Sequence, residues 1–544
     1  MKKMKIVLLS GGTGNTALVN GIKYWYPNCE LNIIVNAYDD GKSTGICRKI
    51  VNTLGVSDIR KNHEKQLKLY RPYSPYLDLY SSRLDLPKGK ECDFVLGEIE
   101  KVEKKHGCVI NALFKNAVID FFNNPDCKNY SFKDFNIMNI VYSAIWQNMD
   151  YALGNSEICR IIGIDSNVIL NSYDNVNISA TTLKGKKLPD EGSIVDFCNN
   201  QDVIKKIHYS VKPSAQKLNP YALELIKSAD LIIISTGTFW SSILPTIEYG
   251  DMYDYLNDAK AKKIWVLNST RDNDSWAQNP SDFVLEAECV GLEIEQWKVI
   301  HNLDCPIENL IGKGYHLGLV ESGKNDPKLV GQAIFDCYFG IPKGIQQVLV
   351  DFDGTIYSKE CPYDGNVLYY LSKMDNLTLI TGNTLNHIEN IYGKEFIKSN
   401  KIWANANSEY FVNGKCKKRL KSNRVKLKDY DLLYNVKPTV DDYCIKFRPI
   451  TNNRETICQQ MNDILEEKYP DYIARCTGKT TIDILNKANN KGEIYYKCKF
   501  YKYKTLYIGD EIENGNDKAI ASLCDYSINV NNPYETGIIL KLLQ

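Results

Sequence analysis

The run IVLLSGGTGNTA, residues 6–17, decides how the first half of this chain is read. Ile6 to Leu9 make a short apolar strand, and the glycines behind them make a turn that an anion can approach closely. Gly12, Gly14 and Ala17 fit G-x-G-x-x-A, the spacing of a dinucleotide-binding turn in which peptide N–H groups at a helix start hold phosphate. A nicotinamide reading asks for an acid about 20 residues further on. Asp39 and Asp40 stand roughly there, but beyond the strand end expected at Asn36, inside the polar loop YDDGKSTG (38–45). That loop carries Gly41-Lys42-Ser43, the close of a P-loop. The earlier glycine such a loop needs is Asn36, so the P-loop reading fails. The glycines alone equally describe any tight strand-to-helix turn.

Outward from this turn, Leu31–Asn36, Leu231–Ser235 and Lys263–Asn268 read as further strands, each running into a polar or glycine-containing loop. Such a pattern predicts an α/β fold with an open, Rossmann-like, mostly parallel sheet and ligand loops at the strands' carboxyl ends. Residues 62–150 read as helical and loop-rich. After FDCYFGIPKG (335–344) a new strand, QQVLVDFDGT (346–355), begins a fresh βαβ pattern continued by LTLITGN (377–383) and KTLYIGD (504–510). Two units are therefore expected, 1–342 and 343–544. In the second, an α/β cap of about 400–485 is inserted, with CIKFRPI (444–450), a helix over 456–468 and YIARCTGKTTIDILN (472–486).

A chain of 544 residues is too long for one ordinary domain, and its net charge of +1 without long runs of one sign argues against nucleic acid or an anionic membrane as a dominant partner. The 17 cysteines form no C-x-x-C and no zinc spacing, so reduced, buried thiols are expected. Lys2, Lys3 and Lys5 precede an apolar stretch too short for a signal peptide, and no run is long enough to span a bilayer. The expected location is the cytoplasm.

VDFDGTIYS (350–358) puts Asp351 and Asp353 on one side of an extended strand. Two carboxylates at the end of a buried apolar strand need a cation, and Mg²⁺ takes such oxygens. One aspartate can then attack phosphorus while the other moves protons. The alternative is a plain Asp-Gly turn.

From about residue 345 onward the chain resembles the haloacid-dehalogenase (HAD) phosphohydrolases: DxDGT at Asp351, Asp353, Gly354 and Thr355, then a strand ending in Thr381 within LITGN, Lys491 in NNKGEIYYK, and Asp510 and Asp517 in YIGDEIENGND. The resemblance implies that Asp351 is the nucleophile that forms an aspartyl-phosphate and Asp353 the acid/base. It implies that Thr381 and Lys491 hold phosphoryl oxygens, and that Asp351, Asp353, Asp510 and Asp517 serve a Mg²⁺ site. Lys487, one turn before Lys491, is an alternative lysine, and the wide spacing of Asp510 and Asp517 leaves the role of Asp517 open. The cap resembles that of the Cof-type and phosphomannomutase-like branch, implying a phosphorylated sugar-like metabolite as substrate. Lys446, Arg448 and Arg475 are candidates to reach it, or else solvated strand residues.

The first unit resembles the CofD/YvcK (2-phospho-L-lactate transferase-like) family through GGTGN, NAYDDGKSTG, GVSDIRKN (55–62), YALGN (151–155) and ADLIIISTGTFWSSILP (229–245), in that order. The resemblance implies a grip on a nucleoside diphosphate carrying an organic group, with either Mg²⁺-dependent transfer of that group to an acceptor or regulatory binding of a UDP-sugar without catalysis. Gly11, Gly12, Thr13, Gly14 and Asn15 would bind phosphate. Asp39 and Asp40, with Ser43 in the same loop, would hold Mg²⁺ or meet an acceptor. Gly237, Thr238, Ser241 and Ser242 would add donors at a second turn. Asp58 and Arg60 would complete the site or form a surface ion pair, and Asn155 and Asn268 would read a base or sugar. Lys42, Tyr151 or Ala152, and Ser235-Thr236-Gly237-Thr238 depart from the family's pattern, which implies a changed substrate or lost transfer. Relatives commonly self-associate, so a homo-oligomer is an expectation.

Overall fold

A strand with neighbours on both sides and helices on both faces needs no polar alternation. Lys5–Leu9 (β1) shows none, with Ile6, Val7, Leu8 and Leu9 all fully buried. In the computed structural model, which describes residues 3–165, 167–320, 324–360, 365–420, 425–427, 436–450, 453–477, 481–513 and 515–544, β1 lies inside a seven-stranded sheet. The other strands are Glu30–Val35 (β2), Val168–Leu170 (β3), Leu231–Ile234 (β4), Lys262–Val266 (β5), Trp297–Asn302 (β6) and Lys313–Tyr315 (β7). Their order is β7-β6-β5-β4-β1-β2-β3, and every pairing is parallel. From β3 to β6 this is the doubly wound order, with the chain reversing direction across the sheet at β1 and β4.

These strands belong to a unit of Lys3–Tyr338. Three of its helices frame the site: Thr16–Trp25 (α1), Lys42–Val51 (α2) and Ser57–Tyr70 (α3). Ile137–Asn148 is apolar nearly all round and accordingly buried nearly all round. An antiparallel sheet of Lys187–Leu188, Ile178–Thr182 and Ile204–Tyr209 is inserted between β3 and β4.

On α3, His63 is fully buried, with Nδ1 2.6 Å from the Tyr142 hydroxyl and the Cys159 thiol on its other nitrogen. Burial pushes its pKa down to about 3. The unfolded chain, with an ordinary histidine near 6.5, binds the extra proton between these two values, so stability is full above pH about 6.5 and falls as pH drops toward 3. The slope is at most about 1.4 kcal/mol per pH unit. A His63→Gln variant should show a flatter loss of melting temperature between pH 6 and about 4 than the parent chain, as measured by calorimetry.

The second unit, Phe339–Gln544, repeats the logic. Gln347–Asp351 (β8) is buried from Val348 onward and pairs in parallel with Leu377–Ile380 (β9) on one side. Ile402–Ala404 (β10) follows in parallel, then Glu409–Val412 (β11) and Lys415–Arg419 (β12) antiparallel. Thr505–Gly509 (β13) and Tyr526–Asn529 (β14) extend the other side, giving β12-β11-β10-β9-β8-β13-β14. The stretch 400–419, assigned from sequence to the cap, therefore belongs to the core sheet. Ile402, Trp403 and Ala404 are fully buried there, and Asn413 and Gly414, both at positive φ, close the β11–β12 hairpin. The separate cap sheet has the order Thr439–Val440, Ile445–Phe447, Thr481–Asn486, Tyr472–Thr477, and one face is packed on helix Arg454–Lys468.

Among the described residues no helix is long and apolar enough to cross a membrane, and no cysteine is in a disulfide.

Candidate functional site

In the first unit the loops after β1, β2 and β4 meet α3 around a cavity of about 400 Å³. Gly11, Gly12, Thr13, Gly14, Asp39, Ser43, Asp58, Gly237, Thr238 and Ser242 all line it. The glycines are needed for close approach: a Cβ on Gly12 would stand 2.2 Å from Asp58 Oδ1, and one on Gly11 2.9 Å from Ser242 Oγ. The Asn139 amide donates to Ser43 Oγ at 2.9 Å, which fixes the start of α2.

The remaining candidates stand behind this surface. Asn15 is fully buried; its amide donates to Asn62 Oδ1 at 2.7 Å and its carbonyl accepts from Lys65, while Asn62 in turn donates to the Gly11 carbonyl. Asp40 accepts from the Glu191 N–H at 2.9 Å. Ser241 donates to Thr238 Oγ1, and its N–H points to Asp274. Asn268 ties down the turn after β4, accepting from the Gly237 N–H and donating to the Gly237 carbonyl. Asn155 donates to the Val168 carbonyl at 3.2 Å, away from the cavity. Arg60 does not pair with Asp58: on a helix, residues two apart face different ways. Asp58 faces the glycine loop and Lys61, whereas Arg60 is buried against the Tyr80 carbonyl and Glu64.

Sequence reasoning missed Lys61, Arg83, Glu191 and Lys324, which also line the cavity. The first was findable: Asp58, Lys61, Asn62 and Lys65 recur at the helical spacing that makes one face of α3. The cavity thus mixes cations with carboxylates. Burial, with Asp39, Asp58 and Asp40 nearby, holds the Glu191 carboxyl well above the usual range, and burial raises Asp58 as well. Burial and the neighbouring lysines push Lys65 down to about 7. An added cation near the acids would favour their charged forms, and a phosphate would favour the lysines'.

In the second unit β8, β9 and β13, neighbours inside the sheet, deliver Asp351, Thr381 and Asp510 to their carboxyl ends. Lys491, fully enclosed at the start of helix Lys491–Lys497, donates to Asp351 Oδ1 at 2.5 Å and also to Asp517. The Tyr507 hydroxyl donates to the same Asp517 oxygen at 2.7 Å. Lys487 is not in this group, so the alternative lysine falls. The carboxylates of Asp351, Asp510 and Asp517 offer ligand atoms all within 4.8 Å of one another. Asp353, expected among the metal ligands, is not in that set. Its carboxylate instead accepts from the Asn383 amide at 2.6 Å and from Thr381 Oγ1 at 3.4 Å. Asn383 was missed because it follows the threonine that ends the motif. Gly354 at φ +75° is required twice over, since a Cβ there would also stand 1.9 Å from Asp510 Oδ2.

Burial holds Asp351 well above the usual carboxylate range, although Lys491 opposes it, and burial with Asp517 pushes Asp510 up to about 7. Burial disfavours the Lys491 charge, but Asp351 and Asp517 outweigh it and raise that pKa. One lysine does not neutralise three carboxylates, and a hard divalent cation suits the all-oxygen donor set that remains.

The family model described as 2-phospho-L-lactate transferase CofD matches residues 6–287, half of the chain, and takes in the glycine turn, the β2 and β4 loops and α3. The chain belongs to the CofD family. Curated relatives of this CofD-family chain include a putative gluconeogenesis factor of Aquifex aeolicus, 26% identical over 271 residues, covering 49% of this chain and 68% of the relative. Another, from Clostridium acetobutylicum, is 23% identical over 391 residues, covering 69% and 75%. Among solved structures, an upf0052 family member from Bacillus halodurans is 18% identical, covers 61% of this chain and 99% of its own, and has a TM-score of 0.47. An N-terminally truncated IMP-nucleotidase of Plasmodium falciparum is 19% identical, covers 40% and 74%, and has a TM-score of 0.29.

Proposed function

We propose that this CofD-family chain is a bifunctional enzyme: a Mg²⁺-dependent phosphomonoesterase of HAD type in residues 343–544, and a transferase of a phospho-organic group from a nucleoside-diphosphate ester in residues 1–342. The observation that carries the first half is the convergence of Asp351, Asp353, Thr381, Lys491, Asp510 and Asp517 at the carboxyl ends of the sheet's strands. Asp351 attacks phosphorus, and Lys491 holds it in place through a charge-assisted hydrogen bond that favours its ionised form against burial. Asp517 acts through Lys491, orienting it together with Tyr507. Burial raises the Asp353 carboxyl, which suits a group that must hold a proton for the leaving oxygen and then take one from the water that cleaves the aspartyl-phosphate. Asn383 fixes its direction. Asp351, Asp510 and Asp517 would hold Mg²⁺, which supplies neutralisation of the phosphoryl oxygens.

If Asp353 is the acid, its loss matters most when the leaving oxygen is basic. Asp353→Asn should slow an alkyl phosphate by roughly 10²–10⁴-fold and para-nitrophenyl phosphate much less. Equal slowing of both substrates in steady-state assays would remove the acid role.

For residues 1–342 the support is the cavity that joins the glycine turn, Asp39, Asp58, Lys61 and the β4 loop, the elements a diphosphate with its cation needs. A second reading is favoured by the relatives' description as gluconeogenesis factors: a regulatory domain that binds a UDP-sugar and controls the phosphatase. Incubation of the full chain with UDP-sugars or GDP esters, Mg²⁺ and candidate alcohols separates the two. Release of UMP or GMP supports transfer; binding that alters the phosphatase rate without nucleotide release supports regulation.

A further inference from the structure

Helix Arg454–Lys468 of the cap buries Ile457, Cys458, Met461 and Leu465, the stripe expected of a helix that packs on a sheet. The edge strand Tyr472–Thr477 meets it with alternate residues: Ala474 lies in the same apolar cluster, and Cys476 packs against that cluster. Three hydrogen bonds set the level at which helix and strand meet. One turn before Cys458, the Arg454 carbonyl accepts from the Cys476 thiol at 3.8 Å. One turn after it, Asn462 donates to the Ala474 carbonyl at 3.0 Å and accepts from the Ala474 N–H at 2.8 Å. Cys458 stands between these contacts, its sulfur 3.9 Å from the Asn462 amide nitrogen, and a hydrogen bond joins its thiol to that of Cys476. The helix and the strand thus hold two thiols side by side.

Both cysteines line a cavity of about 940 Å³, together with Asp510, Glu511 and Lys518, so small solutes have a path to the pair. Cys476 is half-buried, whereas Cys458 is buried. Burial, with Cys476 beside it, pushes the Cys458 thiol up to about 11, and Arg454 opposes this. A thiol so rarely ionised reacts poorly with a dilute oxidant, which leaves Cys458 the chemistry of the sulfur it touches.

We propose that Cys458 and Cys476 are a redox modification site that a hydroperoxide closes into a disulfide, stapling the cap helix to the edge strand. Cys476, the more exposed, meets the peroxide first. Its sulfur takes one peroxide oxygen as the O–O bond breaks; the sulfur is oxidised to a sulfenic acid and the peroxide is reduced to an alcohol, or to water from hydrogen peroxide. Cys458 then attacks that sulfur. The S–S bond forms, the S–O bond breaks, and the Cys458 proton leaves with the hydroxyl as water. A dithiol reductant returns both thiols. The inference stands apart from the phosphatase reading, since no substrate enters it.

The test uses the full chain, reduced and then exposed to graded hydrogen peroxide, alkylated, digested with trypsin without reductant and examined by mass spectrometry. Cleavage after Arg454, Lys468, Arg475 and Lys479 puts the two cysteines in separate peptides, 455–468 and 476–479, with one cysteine in each. The expected product is these two peptides joined, lighter than their sum by two hydrogens and parted by dithiothreitol. It should be at least about tenfold more abundant than any other cross-linked pair, the advantage of thiols already in contact. Cys458→Ser should leave Cys476 as a sulfenic acid that dimedone captures, and Cys476→Ser should leave Cys458 unmodified at the same dose. In the parent chain, free Cys458 and Cys476 at a dose that oxidises the exposed Cys198 and Cys289 would overturn the proposal. So would a disulfide from either residue to a different cysteine, or Cys476 carried on to the sulfinic acid while Cys458 stays free.

Discussion

Asp351→Asn should abolish phosphomonoester hydrolysis, by roughly 10⁴-fold or more, while leaving the fold intact. The substitution keeps the volume of the side chain and its hydrogen bond to Lys491 but removes the anion that attacks phosphorus. The carboxylate has no substitute at this position: Asp353 is turned toward Asn383 and Thr381, and Asp517 is tied to Lys491 and Tyr507. Stability is not expected to fall much, because the change removes one like charge from beside Asp510 and Asp517 while weakening one ion pair. Loss of turnover with an unchanged thermal melt is the expected result. Unchanged turnover would show the nucleophile to be elsewhere.

Gly14→Ala should cripple the first unit and spare the second. The new Cβ would stand 2.4 Å from the Thr236 carbonyl oxygen and 2.8 Å from the Gly237 Cα, both backbone atoms that no rotamer change can move aside. Either the glycine turn or the turn after β4 must shift, at a cost of about 1–3 kcal/mol for such overpacking. Those turns are the two walls of the cavity, so nucleotide-ester binding by the full chain should weaken at least about tenfold by calorimetry, since that energy is lost from the bound geometry. Hydrolysis of para-nitrophenyl phosphate should be retained. Full nucleotide affinity in this variant would remove the glycine turn from the binding site.

The parts of the fold legible in the sequence were those where local pattern and tertiary role coincide. Ile6–Leu9 and Val348–Val350 are uninterrupted apolar runs because parallel strands are covered on both faces, and each ends in its functional loop. Asn413-Gly414 was equally legible as a hairpin turn, and reading it would have moved β11 and β12 out of the cap. The candidate sites were legible where a motif fixes backbone shape, as in Gly12-x-Gly14 and Asp351-x-Asp353-Gly354. They were less so where only facing decides the matter. Asp58 and Arg60 look like a pair in the sequence and are separated by the turn of α3. Asn155 lies in a segment resembling a family motif, yet its amide is spent on the Val168 carbonyl. Glu191 comes from an insertion whose strands are short, and only the folded chain brings it to Asp39 and Asp58. Asp353 stands beside Asp351 in the motif, yet its carboxylate lies outside the Asp351, Asp510 and Asp517 group and accepts from Asn383, a residue with no signature of its own.

The most direct test is to trap the covalent intermediate. The full chain is mixed with Mg²⁺ and a phosphomonoester that it hydrolyses, quenched in acid within a turnover, digested and examined by mass spectrometry. A phosphoryl group on the peptide that contains residue 351, at Asp351 itself and absent from Asp351→Asn, is the expected result. Steady turnover with no label on Asp351 at any quench time, or a label on another residue, would contradict the aspartyl-phosphate mechanism.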